Sequence, residues 1–305
     1  MKTTLIVNPN AGGTGEGTIQ RLEDSLGALG YVCEHRETHS AKDLEEALSD
    51  PGELVVAAGG DGTLRAVATR LAGRGVPLAL VPLGTANNIA RSLGIVGPPE
   101  SWLEGLRAPR RVPFDVGRVR GSWGTDLFLE GAGAGLFALG LSNYDPEIGK
   151  DVLRALGAAL QTLREYVPRP FLVWLDGEPV AEPLTMLEVM NTPSIGPRLR
   201  FAPQADPGDG LLDVVLVSAE HNLGFASQLA GLISGQFTEL PNVAHRRCRR
   251  VALEWDGSPF HLDDELRQAD APERLEIEVW PAALEIWLPA QAQASQDERP
   301  TPTPA

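Results

Sequence analysis

The residues best suited to chemistry lie in Gly59-Gly60-Asp61-Gly62-Thr63, between an apolar run (Glu53–Ala58) and a helix-like run (Thr63–Gly73). Glycines let a backbone approach phosphate oxygens, and a helix N-terminus just beyond them offers unpaired N–H groups to an anion. One carboxylate, Asp61, stands among these donors. A carboxylate beside phosphate is repulsive unless a metal ion or its waters lie between them. Asp61 therefore reads as a hydrogen-bonding or Mg²⁺-linked group in phosphoryl transfer. The same residue also suits an Asx-type turn, or an N-cap for the helix from Thr63. Two further loops share this character, Asn8–Gly13 (NPNAGG) and Pro82–Asn88 (PLGTANN). All three follow strand-like runs, at the edge where ligands bind in open α/β sheets.

The elements that must hold these loops alternate. Thr3–Asn8, the YVCEHRE run from Tyr31, Glu53–Ala58 and the VPLALVP run ending at Pro82 read as strands. Between them, Ile19, Leu22, Leu26 and Leu29 recur at helical spacing, closed by Gly30. A second helix opens at the candidate N-cap Ser40, and a short one covers Thr85–Gly94. Repeated β-α units of this kind imply a parallel sheet with both faces covered. Beyond Pro109 the runs become short, β-rich and punctuated by Gly, Pro and Asp, as in an antiparallel domain. Helical segments at Pro146–Tyr166 and Leu223–Gln236 interrupt them. The expected organisation is a nucleotide-binding unit over 1–112, a β-rich substrate unit over 113–285, and a disordered Pro-rich tail over 290–305.

Composition bounds the rest. The chain has 305 residues, long for one core, with 43% hydrophobic and 22% charged residues. A net charge of −15 argues against nucleic-acid binding. It also opposes docking on an anionic membrane unless a basic patch is segregated, and the candidate patch is HRRCRR, His245–Arg250. The alternative for that patch is a solvated turn before a strand. No run reaches the ~20 apolar residues of a membrane span, and the N-terminal apolar run is too short for a signal peptide. Cys33 and Cys248 show no metal-ligand spacing and no disulfide framework, which fits a reducing cytoplasm.

GGDGT followed about twenty residues later by PLGTANNIARSLGI resembles the diacylglycerol kinase catalytic-domain family, which includes bacterial lipid kinases and is related to NAD kinases and phosphofructokinases. NPNAGG, FDVGRV (Phe114–Val119), EGAGAGLFA (Glu130–Ala138), FAPQADPGDGLLDVVLV (Phe201–Val217) and HLDDELRQ (His261–Gln268) extend the likeness to about residues 3–288. The resemblance implies an N-terminal phosphofructokinase-like α/β domain and a C-terminal β-sandwich with inserted helices. The chain end near 285–290 would pack back onto the first domain. It implies ATP and Mg²⁺ as cofactors and a diacylglycerol-like hydroxyl as acceptor, met at the inner face of a membrane by a cytoplasmic, peripheral protein. A homodimer stays open. By position, Asn8, Thr38, Gly59, Gly60, Gly62, Thr63, Gly84 and Thr85 would line the nucleotide site. Asp61 and Asp115 would join the Mg²⁺ and water network, and Asp206, Asp209 and Asp213 a structural Mg²⁺ site. Asp263 or Glu265 would be the general base on the acceptor hydroxyl.

Three departures stand out. The family glycine between the two base-motif acids is Asp264, which sets a side chain where the backbone could require positive φ. Asn88 replaces an acid, and Gly13-Thr14 lacks the usual basic residue, for which Arg65 is the candidate substitute. These keep alive a catalytically impaired nucleotide-binding regulator; a kinase of the NAD kinase type is the other alternative. His261 reads as a satisfied surface histidine, and Leu175–Pro179 (LDGEP) as a hairpin turn. The apolar residues of Val152–Tyr166 would line an acceptor cleft or face the core.

Overall fold

The computed structural model describes residues 1–8, 15, 17–97, 99–142, 172–181, 183–219 and 225–290. The expected helix Pro146–Tyr166 with its apolar stripe, all but the first residue of the Asn8–Gly13 loop, and the tail from 291 lie outside the described residues. The chain forms two compact units, Met1–Phe114 with Ala283–Ala305, and Asp115–Ala282.

The first unit alternates strand and helix: β1 (Lys2–Val7), α1 (Thr18–Ala28), β2 (Val32–Glu37), α2 (Ala41–Ala47), β3 (Leu54–Gly59), α3 (Asp61–Leu71), β4 (Leu78–Pro82), α4 (Asn88–Ser92) and α5 (Pro99–Gly105). The strands pair in parallel in the order β2-β1-β3-β4. Every residue of β3 is buried, as a parallel strand covered on both faces requires. Helix α3 buries Leu64, Val67, Ala68 and Leu71, the i, i+3, i+4, i+7 stripe of an amphipathic helix. Ser40 caps α2 through its side chain, which accepts from the Asp43 N–H. The chain end adds a parallel strand beside β4, pairing Ile286 with Leu78 and Trp287 with Ala79. Trp287 joins the core of this unit with Leu5, Leu26, Leu54 and Val56, where each fully buried aliphatic side chain contributes about 1.5–3 kcal/mol.

The second unit is a sandwich of two antiparallel sheets. Its strands are β5 (Arg110–Gly121), β6 (Gly124–Phe128), β7 (Gly131–Gly135), β8 (Leu172–Leu175), β9 (Glu178–Val180), β10 (Leu184–Met190), β11 (Leu212–Ser218), β12 (Val243–Cys248), β13 (Arg250–Trp255), β14 (Phe260–Leu262), β15 (Glu265–Arg267) and β16 (Glu273–Leu288). Helices α6 (Leu136–Ser142) and α7 (Phe225–Ser234) interrupt them. One sheet runs β12-β11-β10-β7-β14-β15; in the other, β13 pairs with β16 and β8, and β5 with β16 and β6. The alternation of β13 sends Val251, Leu253 and Trp255 into the core and Arg250 and Glu254 outward. Asp176 and Gly177 turn the β8–β9 hairpin with φ of 50° and 92°, the double positive φ of a type I′ turn. The LDGEP stretch is thus the hairpin its sequence encodes.

Both thiols are free. Burial pushes the Cys33 thiol up to about 11 and the Cys248 thiol up to about 12. Because the thiolate is the reactive form, neither is expected to react with Ellman's reagent at neutral pH in the native protein. Both should titrate after denaturation. Rapid native labelling of Cys248 would contradict its placement in the sandwich core.

Candidate active site

The loops after the parallel strands gather at one edge of the first sheet. From β1 the chain moves to β2 on one side, and β3 then pairs with β1 on the other. This reversal puts the topological switch point, where α/β sheets bind ligands, between the carboxyl ends of β1 and β3. Asn8 follows β1 there. Its backbone N–H donates to the Ala58 carbonyl at 3.1 Å, and its Nδ2 donates to Thr63 Oγ1 at 2.9 Å. Thr38 follows β2 and is half-buried, while Gly62 and Thr85 are exposed.

The glycines are required by close approach. A Cβ on Gly59 would lie 2.5 Å from Thr63 Cβ. A Cβ on Gly84 would lie 2.6 Å from Gly60 Cα and 2.8 Å from Asn87 Oδ1. Contacts under 3 Å to backbone cannot be relieved by a rotamer change, so the two loops pack main chain against main chain. The Leu83 N–H donates to the Gly59 carbonyl at 2.8 Å along the same seam. Asn87, in the left-handed region at φ 52°, closes the second loop: its Oδ1 accepts from the Gly84 N–H at 2.9 Å and its Nδ2 donates to the Gly84 carbonyl at 2.8 Å.

Asp61 ties the loops together. Its Oδ1 accepts from the Ile89 N–H at 3.0 Å, in the first turn of α4. The Asn87 and Asn88 N–H groups also favour its charged form, yet burial outweighs them and raises its pKa above the ordinary aspartate value. The carboxylate thus caps α4, a different helix from the one it begins. The cap expected on the helix from Thr63 is replaced by one across the seam, and α3 has the backbone of Gly60 at its N-cap. Arg65 lies in α3, one turn beyond Asp61.

The acids of the second unit each have defined partners. Asp115, on β5, is buried; its Oδ1 accepts from the Ala282 N–H at 2.7 Å and its Oδ2 from the Gly210 N–H at 2.6 Å. Burial, with Asp206 nearby, raises its pKa against those two bonds. Asp206 and Asp209 accept from the backbone of Gly208 and Leu211 in tight turns. Asp209 also pairs with Arg247, and buried Asp213 pairs with His245 Nε2 at 2.6 Å. Among the described residues no three His, Cys, Asp or Glu side chains are grouped to hold a metal. The three carboxylates of the expected structural Mg²⁺ site are bonded here to backbone amides, arginine and histidine.

The base motif also divides. Asp263 is buried, and its carboxylate accepts from the Leu129, Glu130 and Gly131 N–H groups at 2.9, 2.7 and 3.0 Å. This is an anchor for the start of β7, and it is a poor place for a general base. Asp263, at φ 52°, takes the left-handed backbone that was expected at Asp264. Glu265 is exposed at the start of β15, its Oε2 accepting from Arg267 at 2.8 Å. His261 is fully buried rather than at the surface: Nε2 meets Glu188 Oε2 at 2.6 Å, and Nδ1 meets the Asp263 carbonyl at 3.2 Å. Glu188 was not singled out from sequence, although one acid within the apolar run LTMLEVM was a signal. Gly133 makes room for this pair, since a Cβ there would fall 2.4 Å from Glu188 Oε2.

The diacylglycerol kinase catalytic domain matches residues 2–119, and the YegS C-terminal NAD kinase beta sandwich-like domain matches residues 147–288. A Pseudomonas putida protein named "probable lipid kinase YegS-like" is 32% identical, over 86% of this chain and 87% of its own. The chain belongs to the diacylglycerol kinase family. A Mycobacterium tuberculosis protein named diacylglycerol kinase is 28% identical over 94% of this chain and 95% of its own. The fold of a diacylglycerol kinase crystal structure from Bacillus anthracis str. Sterne superposes with a TM-score of 0.68 at 20% identity, covering 96% of this chain and 98% of that one. In the diacylglycerol kinase family the first unit is the catalytic domain by its match, and the chain is a lipid-kinase-family enzyme. Among the described residues no helix is long and apolar enough to cross a membrane.

Proposed function

We propose that this enzyme transfers the γ-phosphoryl group of ATP to a lipid hydroxyl of the diacylglycerol type. The observation that carries the reading is the double glycine loop at the sheet switch point, locked by Asp61. Gly59, Gly60 and Gly84 let the two loops pack main chain against main chain, and α3 opens on the same loop. Those residues, with Asn8, Thr38, Gly62, Thr63 and Thr85, would hold the nucleotide phosphates. The half-buried Asp61 carboxylate, held by the backbone N–H groups at the start of α4, fits a water-linked partner for Mg²⁺. That ion supplies charge neutralisation on the phosphoryl oxygens when bound. Glu265 takes the proton of the acceptor hydroxyl as its oxygen attacks the γ-phosphorus and ADP leaves. This assignment follows from Asp263 having spent its carboxylate on three amides. The protein would work in the cytoplasm, meeting its acceptor at the membrane surface.

The test is radiolabelled ATP with Mg²⁺ over a panel of diacylglycerol, phosphatidylglycerol and sphingoid bases in detergent micelles, with NAD⁺ in parallel. Label is expected in a lipid product. Label in NADP⁺ alone, or ATP binding without transfer to any lipid, would replace the reading with one of the two alternatives.

A further inference from the structure

The chain carries a net charge of −15, yet one face of the second unit is basic. It is the outer face of β5, β16, β13 and β8, whose inward residues fill the sandwich core. Outward from it point Arg118 and Arg120 on β5, Arg274 on β16 and Arg250 on β13, with Arg249 at its rim. The carboxylates on the face are engaged: Glu276 with Arg274 at 2.8 Å, Glu254 with Arg274 at 3.3 Å, and Glu278 with Arg118 at 2.8 Å. Arg249 and Arg250 are exposed, and neither guanidinium has an ion pair among the described residues. Their backbones are fixed, because Asp176 Oδ1 in the β8–β9 turn accepts from both N–H groups, at 3.0 and 2.9 Å. Beside them Arg274 stacks 4.8 Å from the Trp174 ring, and Trp174 lines a groove with Arg249, Arg250 and Arg274, alongside Asp176 and Glu276. Leu172, two residues along β8 on the same side, is 58% exposed.

Unpaired arginines, a tryptophan with a polar edge and an exposed leucine together suit the headgroup region of a bilayer. The arginines meet lipid phosphates while the aromatic and aliphatic groups enter the boundary below. We propose that this face docks the enzyme on an anionic lipid bilayer, with Arg249 and Arg250 as the principal phosphate contacts. The segregated basic patch answers the objection raised by the overall acidity: the local charge at the surface decides, because charges further away than about a Debye length are screened. The surface itself stands on charge and exposure; its use as the route to a lipid acceptor rests on the kinase reading.

Co-sedimentation of the full chain with vesicles of phosphatidylcholine, with and without phosphatidylglycerol, tests it. Binding is expected only with phosphatidylglycerol and should fall as salt is raised. Arg249→Gln with Arg250→Gln should weaken it roughly tenfold or more, with phosphoryl transfer in neutral detergent micelles and the melting temperature unchanged. Leu172→Ser, at an exposed site, should weaken it at constant charge. Wild type binding neither vesicle or both equally, or a double variant binding as wild type, would overturn the proposal. So would loss of a homodimer in the double variant without vesicle binding by the wild type. Vesicle docking without phosphorylation of any lipid would sustain the docking face and remove the kinase reading, so the two fail separately.

Discussion

Asp61→Asn is expected to lower kcat by at least about 100-fold while leaving the protein folded, because the loss of a charge-stabilising group at a phosphoryl site has that scale. Asparagine separates the two roles that the structure gives this side chain. Its carbonyl oxygen still accepts from the Ile89 N–H, so the cap on α4 survives; its charge is gone. Asp61→Ala removes both, and should add the usual loss of about 0.5–2 kcal/mol for a missing cap. The pH behaviour follows from burial. The folded protein holds the Asp61 proton more tightly than the unfolded chain does. The stability that this gives is complete below pH 3.8 and is lost as pH rises through the higher folded value. At neutral pH the wild type bears the desolvation of the charge and the asparagine variant does not. Asp61→Asn should therefore melt at or above the wild-type temperature, and the acid limb of wild-type kcat/KM, which reports the free enzyme, should lie above 3.8. An active Asp61→Asn, or one melting well below wild type, would show that the carboxylate serves packing and not transfer.

The parts of this site that sequence exposes are those whose reasons are local. The β3 run is apolar throughout because both faces are covered, and the β8–β9 turn is legible because Asp-Gly supplies two positive φ values. The glycine loops were readable as phosphate-approaching backbone, though the tight constraint on Gly84 comes from Gly60, a neighbour in space only. What sequence could not give is the identity of each carboxylate's partner. Asp61 caps a helix 28 residues away, Asp115 bonds Ala282, and Glu188 meets His261 across β7. A carboxylate that serves three amides and one that faces solvent are spelled alike, as Asp263 and Asp264 demonstrate. Helix α6 escaped because its seven residues follow a glycine-rich strand and are too short to show a period.

That last ambiguity has the second large expected effect. Asp263→Ala should destabilise the protein by about 3 kcal/mol or more, since it strips the acceptor from three buried N–H groups that each cost about 1–3 kcal/mol when unsatisfied. It also puts alanine at φ 52°, a backbone that aspartate tolerates better. The melting temperature should fall by on the order of 10 °C, with activity lost through unfolding. Glu265→Gln should do the reverse. Its exposed pair with Arg267 is worth about 0–1 kcal/mol, so the melting temperature should hold while kcat falls about 100-fold and ATP binding is kept. Melting curves and steady-state kinetics on the two variants decide between them. If Asp263→Ala keeps wild-type stability and loses only kcat, the base is Asp263 and the anchoring role is wrong. If Glu265→Gln leaves kcat untouched, the base is Asp263 or a group elsewhere, the exposed neighbour Asp264 included.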